Sequence, residues 1–189
     1  MPLYIEVPAG EVYGEIDKVT GRRMFVKTKQ TTLVLEHSLI SLSKWEAKWH
    51  KPYLSTEKTE EETIDYIRCM TTSQNVDPNI YMVLTNDNIN KIIEYIKDPH
   101  TATTIKKNPN APKSREVITA ELIYYWMITY NIPIEICQKW HLNRLLTLIE
   151  VCSIKNAPPK KMSASERQAD LIRRNALNEA RRRKYNSKG

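Results

Sequence analysis

The side chains that could do chemistry form no complete catalytic or metal-binding motif in this chain. Cys137 and His141 are four residues apart, so on a single helix they would share a face as two metal ligands. A structural zinc site takes four protein ligands, and no second Cys/His pair accompanies this one. We therefore predict a buried thiol beside a half-buried imidazole, and no metal site.

A cysteine–histidine catalytic pair could be assembled from His37, Cys69 and His141. Three Cys and four His in a chain of 189 residues offer several such pairings by chance. The chain has only four Gly, and none lies between Arg22 and Lys188. Loops that cradle phosphate need glycine where the backbone approaches the ligand. We predict no enzyme activity, no catalytic residue and no cofactor.

An acidic run and an aromatic series have ordinary structural explanations. Glu60, Glu61 and Glu62 follow Thr59 in a capping-box pattern, where the helix dipole favours negative charge. Trp45 and Trp49 are spaced for one helix face, with Tyr53 four residues further on. Aromatic side chains supply much of the buried area of a protein, which favours a core position for them. A partner-binding face is the alternative.

The positive charge of the chain lies at one end. Residues 155–189 carry eleven Lys or Arg against three acids, a net charge of +8, whereas the whole chain is +7 and residues 1–154 sum to −1. Such a basic segment could bind the phosphates of a nucleic acid, bind an acidic or helical protein, or be a solvated helix. Tyr185 is its only aromatic residue, which disfavours base stacking.

The remaining composition predicts a soluble intracellular protein. Three Cys without paired spacing are typical of reduced thiols. The first residues lack the features of a signal peptide. The longest apolar run, at 122–128, is far shorter than the roughly twenty residues of a membrane span.

Short runs rich in β-branched residues predict strands before residue 37. Leu3, Ile5 and Val7 alternate with other residues, and similar segments occupy 12–16, 23–28 and 32–36, with a hairpin loop at 17–21. We predict a small antiparallel β meander.

The hydrophobic period is helical after residue 37. Helices are predicted over 38–49, stopped by Pro52, and from Thr59 to about Met70. A short turn is predicted over 78–84, and a helix capped at Thr85 or Asn86 runs to Pro99 with an isoleucine stripe.

The segment 114–154 is predicted to form a packed helical hairpin at the centre of the body. Following a polar loop over 100–113, Ser114 would cap a helix that is apolar on nearly every side and ends near Tyr130. A turn at 131–133 leads to one continuous helix over 134–154.

Pro158 and Pro159 predict an extended linker, since two prolines in a row cannot continue a helix. Beyond it, a capping box begins a basic helix that runs from Ser163 to about Tyr185. Acid-first i,i+4 pairs support this helix, namely Asp170 with Arg174 and Glu179 with Arg183.

The predicted class is α+β, mainly α, with an N-terminal β meander, a central helical hairpin and a C-terminal basic helix after a Pro-Pro linker. The predicted domains are the meander at 1–36, the helical body at 37–154, the linker at 155–162, and the basic helix with its tail at 163–189. The predicted partner-binding residues are Arg167, Ile172, Arg174, Ala176, Ala180, Arg181, Arg182, Arg183, Trp45 and Trp49.

Three stretches together resemble a known family. They are 33–54 (LVLEHSLISLSKWEAKWHKPYL), 63–70 (TIDYIRCM) and 119–156 (TAELIYYWMITYNIPIEICQKWHLNRLLTLIEVCSIKN), and the chain closes with the basic run 180–184. With that run they resemble a tail assembly chaperone of long-tailed bacteriophages. The resemblance covers most of the chain from Thr32 onward.

The resemblance implies a non-enzymatic helper in the bacterial host cytoplasm, encoded just before the tape measure protein and absent from the finished particle. Its expected partners are the tape measure protein, a longer frameshifted form of the same chain, and further copies of itself. No catalytic residue carries over. The alternatives are a small nucleic-acid-binding protein that acts through the basic helix, and a structural component such as a head–tail connector.

Overall fold

The structure of the chain, a computed structural model, describes residues 2–16, 23–105, 116–157 and 163–185. Two compact units divide the chain, Met1–Ile154 and Lys155–Gly189. Several predicted features lie outside the described residues, namely the hairpin loop at 17–21, the polar segment 106–113, the Ser114 cap, the Pro158-Pro159 linker and the tail 186–189.

The first unit begins with four short antiparallel strands, as expected for the α+β class. They are β1 (Leu3–Val7), β2 (Gly10–Ile16), β3 (Arg23–Thr28) and β4 (Thr31–Leu35). The pairing is nested, because β1 pairs with β4 and β2 pairs with β3. In the sequence, the β2–β3 inner hairpin lies between the two strands of the β1–β4 outer pair. The strands are antiparallel as predicted, but they do not pair in the sequential order of the predicted meander, because β1 pairs with β4 and not with β2.

The outer pair buries one face. Ile5 lies opposite Leu33, and Leu3 opposite Leu35, in the β1–β4 register. Ile5, Leu33 and Leu35 are buried, whereas Tyr4 on the other face is exposed. This alternation is the two-residue period of a strand with one face on the core.

The inner hairpin approaches a later segment closely. Gly10, the first residue of β2, packs so near Val83 that a Cβ atom at Gly10 would lie 2.8 Å from the Val83 Cγ1 atom. Thr28 at the end of β3 donates from its hydroxyl to the Gly10 carbonyl at 3.2 Å and accepts the Gly10 N–H at 3.1 Å. A side chain larger than hydrogen does not fit at Gly10 without movement of Val83.

Seven helices follow the strands in the described parts of the chain. They are α1 (Leu39–Trp49), α2 (Glu60–Met70), α3 (Asn86–Lys97), α4 (Ala120–Thr129), α5 (Ile134–Cys137), α6 (Leu142–Asn156) and α7 (Ala164–Tyr185). A 3₁₀ helix, Pro78–Val83, occupies the predicted short turn.

Local capping signals define the starts of the first three helices. Ser38, Thr59 and Thr85 are their N-caps, and each forms a reciprocal capping box with the residue three positions later. The predicted starts are confirmed. The first helix ends at Trp49 because His50 adopts a left-handed conformation with φ of 52°, and Pro52 lies two residues beyond it.

The predicted start of the central hairpin is wrong. The helix α4 begins at Ala120 with Thr119 as its N-cap, and residues 116–119 are not helical. Its buried residues Ala120, Ile123 and Met127 occupy one face. Tyr125 and Ile128 are 60% and 63% exposed, so this helix lies at the surface of the unit rather than in its middle.

The single helix predicted over 134–154 is also interrupted. The helix α5 ends at Cys137 and α6 begins at Leu142, so Cys137 and His141 do not share a helix face. At the break, His141 forms a β-bridge with Ser38, and the Leu142 N–H donates to the His37 carbonyl at 2.8 Å. Hydrogen bonds to the β4–α1 junction replace helical ones there.

The core of the first unit is shared by the outer strand pair and the helices. The helix α1 packs against both α2 and α4, and α3 packs against β1. The largest fully buried side chains among the described residues are Ile5, Leu33, Leu35, Leu39, Leu42, Trp45, Tyr66, Met70, Ile80, Ile92, Ile123 and Met127.

Candidate partner-binding site

The basic helix α7 is the strongest candidate for a binding surface. It spans 22 residues, and none of them is buried. Ser163 caps it, because the Ser163 N–H donates to Glu166 Oε2 at 2.7 Å and the Glu166 N–H donates to Ser163 Oγ at 3.2 Å. Hydrogen bonding to the Ser163 backbone N–H, and then to the Ser163 side chain, lowers the pKa of Glu166.

Ion pairs along α7 neutralise some of its cations. Asp170 accepts from Arg173 at 2.8 Å and from Arg174 at 2.7 Å, and Arg183 lies 3.9 Å from Glu179. The two predicted i,i+4 pairs are therefore present. Exposed pairs of this kind contribute little stability. Arg167, Arg181 and Arg182 form no ion pair with another α7 residue.

An apolar stripe along α7 is open to solvent. Ala169, Ile172, Ala176 and Ala180 recur at helical spacing along one side. Ile172 is 62% exposed. All eight predicted partner-binding residues of α7 are exposed. The sequence prediction omitted Leu171 and Leu177, which are also exposed and lie outside the stripe.

The two predicted tryptophans lie where α1 meets α2. Trp45 has no exposed surface, and its Nε1–H donates to the Glu62 carbonyl at 2.9 Å. Trp49 is half-buried, and its Nε1–H donates to Asp65 Oδ2 at 2.9 Å. Both indoles therefore hold α1 against α2, which is the core interpretation of the aromatic spacing.

Buried carboxylates complete this contact. Lys48 donates to Asp65 Oδ1, and Lys51 donates to Glu62 Oε1, both at 2.5 Å. The hydrogen bond from Lys51, followed by that from the Thr59 backbone, lowers the pKa of Glu62. The contact between α1 and α2 is thus polar at its edge and aromatic at its centre.

An apolar groove lies between α4 and α6. Its cavity of about 410 Å³ is lined by Ile118, Trp126, Tyr130, Leu146, Ile149, Glu150 and Ser153. Ile128 and Ile136 are exposed as well. Exposed apolar surface on a folded unit is typical of contact with another macromolecule.

Three histidines far apart in the sequence come together in the first unit. The rings of His100 and His141 are stacked at 4.0 Å with 17° between their planes, and His37 lies 5.1 Å from His141. We name His37, His100 and His141 the histidine cluster. Sequence reasoning missed it, since no local spacing connects the three residues. They line a cavity of about 130 Å³ together with Glu36, Tyr95 and Arg144.

Cys69 and Cys137 do not form a metal site with the histidine cluster. Among the described residues, no three His, Cys, Asp or Glu side chains are placed to hold a metal ion. Burial, and then the neighbouring Asp65 charge, raise the pKa of Cys69. Burial also raises the pKa of Cys137. Both thiols are therefore poorer nucleophiles near neutral pH than an ordinary cysteine.

None of the described helices is both long enough and apolar enough to cross a membrane. Comparison with protein-family models, with curated proteins and with solved structures found no match for this chain.

Proposed function

We propose that the chain is a non-enzymatic tail assembly chaperone of a long-tailed bacteriophage, which binds the tape measure protein and keeps it soluble while the tail is built. The resemblance of stretches 33–54, 63–70 and 119–156 to that family supports the proposal. Several copies would cover one long client, so self-association is part of it. The proposed place of action is the bacterial host cytoplasm.

The observation that carries the proposal is the exposure of α7. A helix of 22 residues with no buried side chain has unused binding capacity, and its stripe ends among four consecutive cations at 181–184. A long helical client exposes apolar stripes until the tail tube encloses it, which favours aggregation. An amphipathic helix laid against such a stripe covers apolar surface, and its arginines can meet acids on the client.

Co-expression with the protein encoded next downstream tests the proposal. Ala176→Glu places a charge in the middle of the apolar stripe, whereas Asn178→Glu places the same charge about 200° around the helix. We expect the wild type and Asn178→Glu to raise the soluble fraction of the client, and Ala176→Glu to lose the effect. A client equally soluble with and without this chain would contradict the proposal.

Nucleic-acid binding is the second candidate, and the arginines of α7 without an intrahelical partner favour it. It requires the affinity for double-stranded DNA to fall with salt, with a log–log slope of about −0.9 for each phosphate neutralised. Replacing Arg181, Arg182 and Arg183 by Gln should then reduce that slope. No measurable affinity at about 50 mM salt, where phosphate contacts are strong, would eliminate this candidate.

The third candidate function is that of a structural virion component. Protein analysis of purified particles tests it.

A further inference from the structure

The start of α6 caps the end of α3 through side chains. The last carbonyl groups of a helix have no partner within it. Here His141 Nε2 lies 3.0 Å from the Tyr95 carbonyl oxygen. The amide nitrogen of Asn143 donates to the carbonyl oxygens of Ile96 and Asp98, both at 2.8 Å. Two side chains at the start of α6 thus bind three carbonyls at the end of α3.

The hydrogen bond to Tyr95 determines which nitrogen of His141 carries the proton. A carbonyl oxygen can only accept, so the Nε2 atom donates, and the Nδ1 atom of the neutral ring is a bare acceptor. That Nδ1 atom is buried and has no hydrogen-bond partner among the described residues. Protonation would place a second N–H there with no acceptor to receive it, which is costly in a buried site.

The surroundings of the histidine cluster also oppose a positive charge. His141 is 6% exposed and His37 is 2% exposed. Burial lowers the pKa of His37 to about 3, with the neighbouring His141 and His100 acting in the same direction. Burial and His100 lower the pKa of His141 to about 4, although the Tyr95 carbonyl and Asp98 act against them.

The other titratable and charged groups facing the cluster come from several elements. Tyr66 of α2 binds His37 through a 2.6 Å contact between its hydroxyl and the Nδ1 atom. The rings of Tyr95 and His141 are 4.9 Å apart, edge to face. The remaining charged neighbours among the described residues are Glu36, Asp98, Lys139 and Arg144. The negative charges of Glu36 and Asp98 do not offset the effect of burial on the two histidines. The pKa values of His37 and His141 stay well below 7, so these two rings are neutral near pH 7.

We propose that the histidine cluster is an acid-sensitive latch, which holds the end of α3 against the start of α6 while the rings of His37 and His141 are neutral and releases them when either of these two rings is protonated. The latch also holds the β4–α1 junction, because the Leu142 N–H donates to the His37 carbonyl. Acid therefore loosens three segments of the first unit at one point.

The direction of the pH dependence follows from the lowered pKa values. His37 and His141 take up protons in the open chain near an ordinary pKa of 6.5 but not in the closed latch. Closure is thus most favourable above pH 6.5 and weakens as the pH falls toward 4. From about pH 7.5 to 5, each such histidine raises the unfolding equilibrium constant about thirtyfold.

Urea unfolding of the full chain at about pH 7.5 and 5 measures the unfolding equilibrium constant at each pH, and the value at pH 5 divided by that at pH 7.5 is the ratio to be compared. This window stays above 4.5, the ordinary pKa of a Glu such as Glu62, so the carboxylates contribute little to it. His141→Gln keeps an N–H donor for the Tyr95 carbonyl but cannot titrate, and it should reduce the ratio about thirtyfold. The matched control is His50→Asn at the C-cap of α1, outside the cluster, which keeps every contact of the latch, so the large ratio should remain.

Two measurements on the wild-type chain keep the test decisive if His141→Gln does not fold. The ring resonances of His37 and His141 should not titrate in the folded protein from about pH 7.5 to 5. The Leu142 amide should lose exchange protection before the amides of the β1–β4 pair, after correction for the intrinsic rate. Three results would overturn the latch. They are an unfolding equilibrium constant that is the same at both pH values, a folded His37 or His141 that titrates near 6.5, and simultaneous loss of protection at the Leu142 amide and the amides of the β1–β4 pair.

Discussion

Glu46 of α1 accepts the backbone N–H of Ala120, the first residue of α4, through its Oε2 atom at 2.7 Å. Its other oxygen, Oε1, accepts the Tyr53 N–H at 2.7 Å. Glu46 as a whole is 7% exposed. A single buried acid therefore satisfies an unpaired N–H at the start of α4 and fastens the segment after α1.

Glu46→Gln should destabilise the first unit. An amide keeps one acceptor but turns an N–H₂ group toward a backbone donor, so one hydrogen bond is lost and the other is no longer charge-assisted. We expect the free energy of unfolding to fall by about 2 kcal/mol. Urea unfolding at neutral pH measures the change, and the exposed Glu57→Gln is the matched control. Equal stability of the two variants would contradict this role of Glu46.

Gly10→Ala should destabilise the packing of the inner hairpin against the 3₁₀ helix. The new Cβ atom would lie 2.8 Å from Val83 Cγ1 and 3.2 Å from Val83 Cβ. Overpacking of this kind costs about 1–3 kcal/mol. The double variant Gly10→Ala/Val83→Ala removes the clashing methyl groups and should lose less than the sum of the two single changes. Additive losses in a double-mutant cycle would show that Val83 is not the obstacle.

Lys51→Met should raise the pKa of Glu62. The Lys51 hydrogen bond is the largest cause of the lowered value in the wild type. Because the folded pKa lies below the ordinary value of 4.5, Glu62 contributes stability above that pH and loses it as the pH falls further. The variant should lose less stability on acidification.

The ¹³C shift of the Glu62 carboxyl carbon, followed from neutral to acidic pH, measures that pKa directly. Lys29→Met removes an exposed lysine after β3 and is the matched control, since it should leave the Glu62 titration unchanged. An unchanged Glu62 titration in Lys51→Met would refute the assignment.

Local signals in the sequence predict the elements whose hydrogen bonds are local. Ser38, Thr59 and Thr85 bond to residues three positions away, so their capping boxes are legible in a few letters. The Asp170 and Glu179 pairs of α7 are legible for the same reason.

Features set by distant segments were not predictable in this way. The helix predicted over 134–154 breaks where Leu142 donates to His37, a residue that lies about a hundred positions earlier in the chain. The histidine cluster also depends on residues from three separate segments. The spacing of Trp45 and Trp49 fitted both a core and a binding face, and the position of α2 beneath them decides between the two.

The lack of buried residues in α7 also bears on how it would recognise a partner. A helix that draws nothing from packing depends on its own cap and ion pairs, whereas most helical stability in proteins comes from tertiary packing of an amphipathic face. Any complex formed through α7 must therefore supply the free energy that orders the chain. Its heat of association should include that of helix formation, and its affinity should decline on warming more steeply than that of two rigid surfaces.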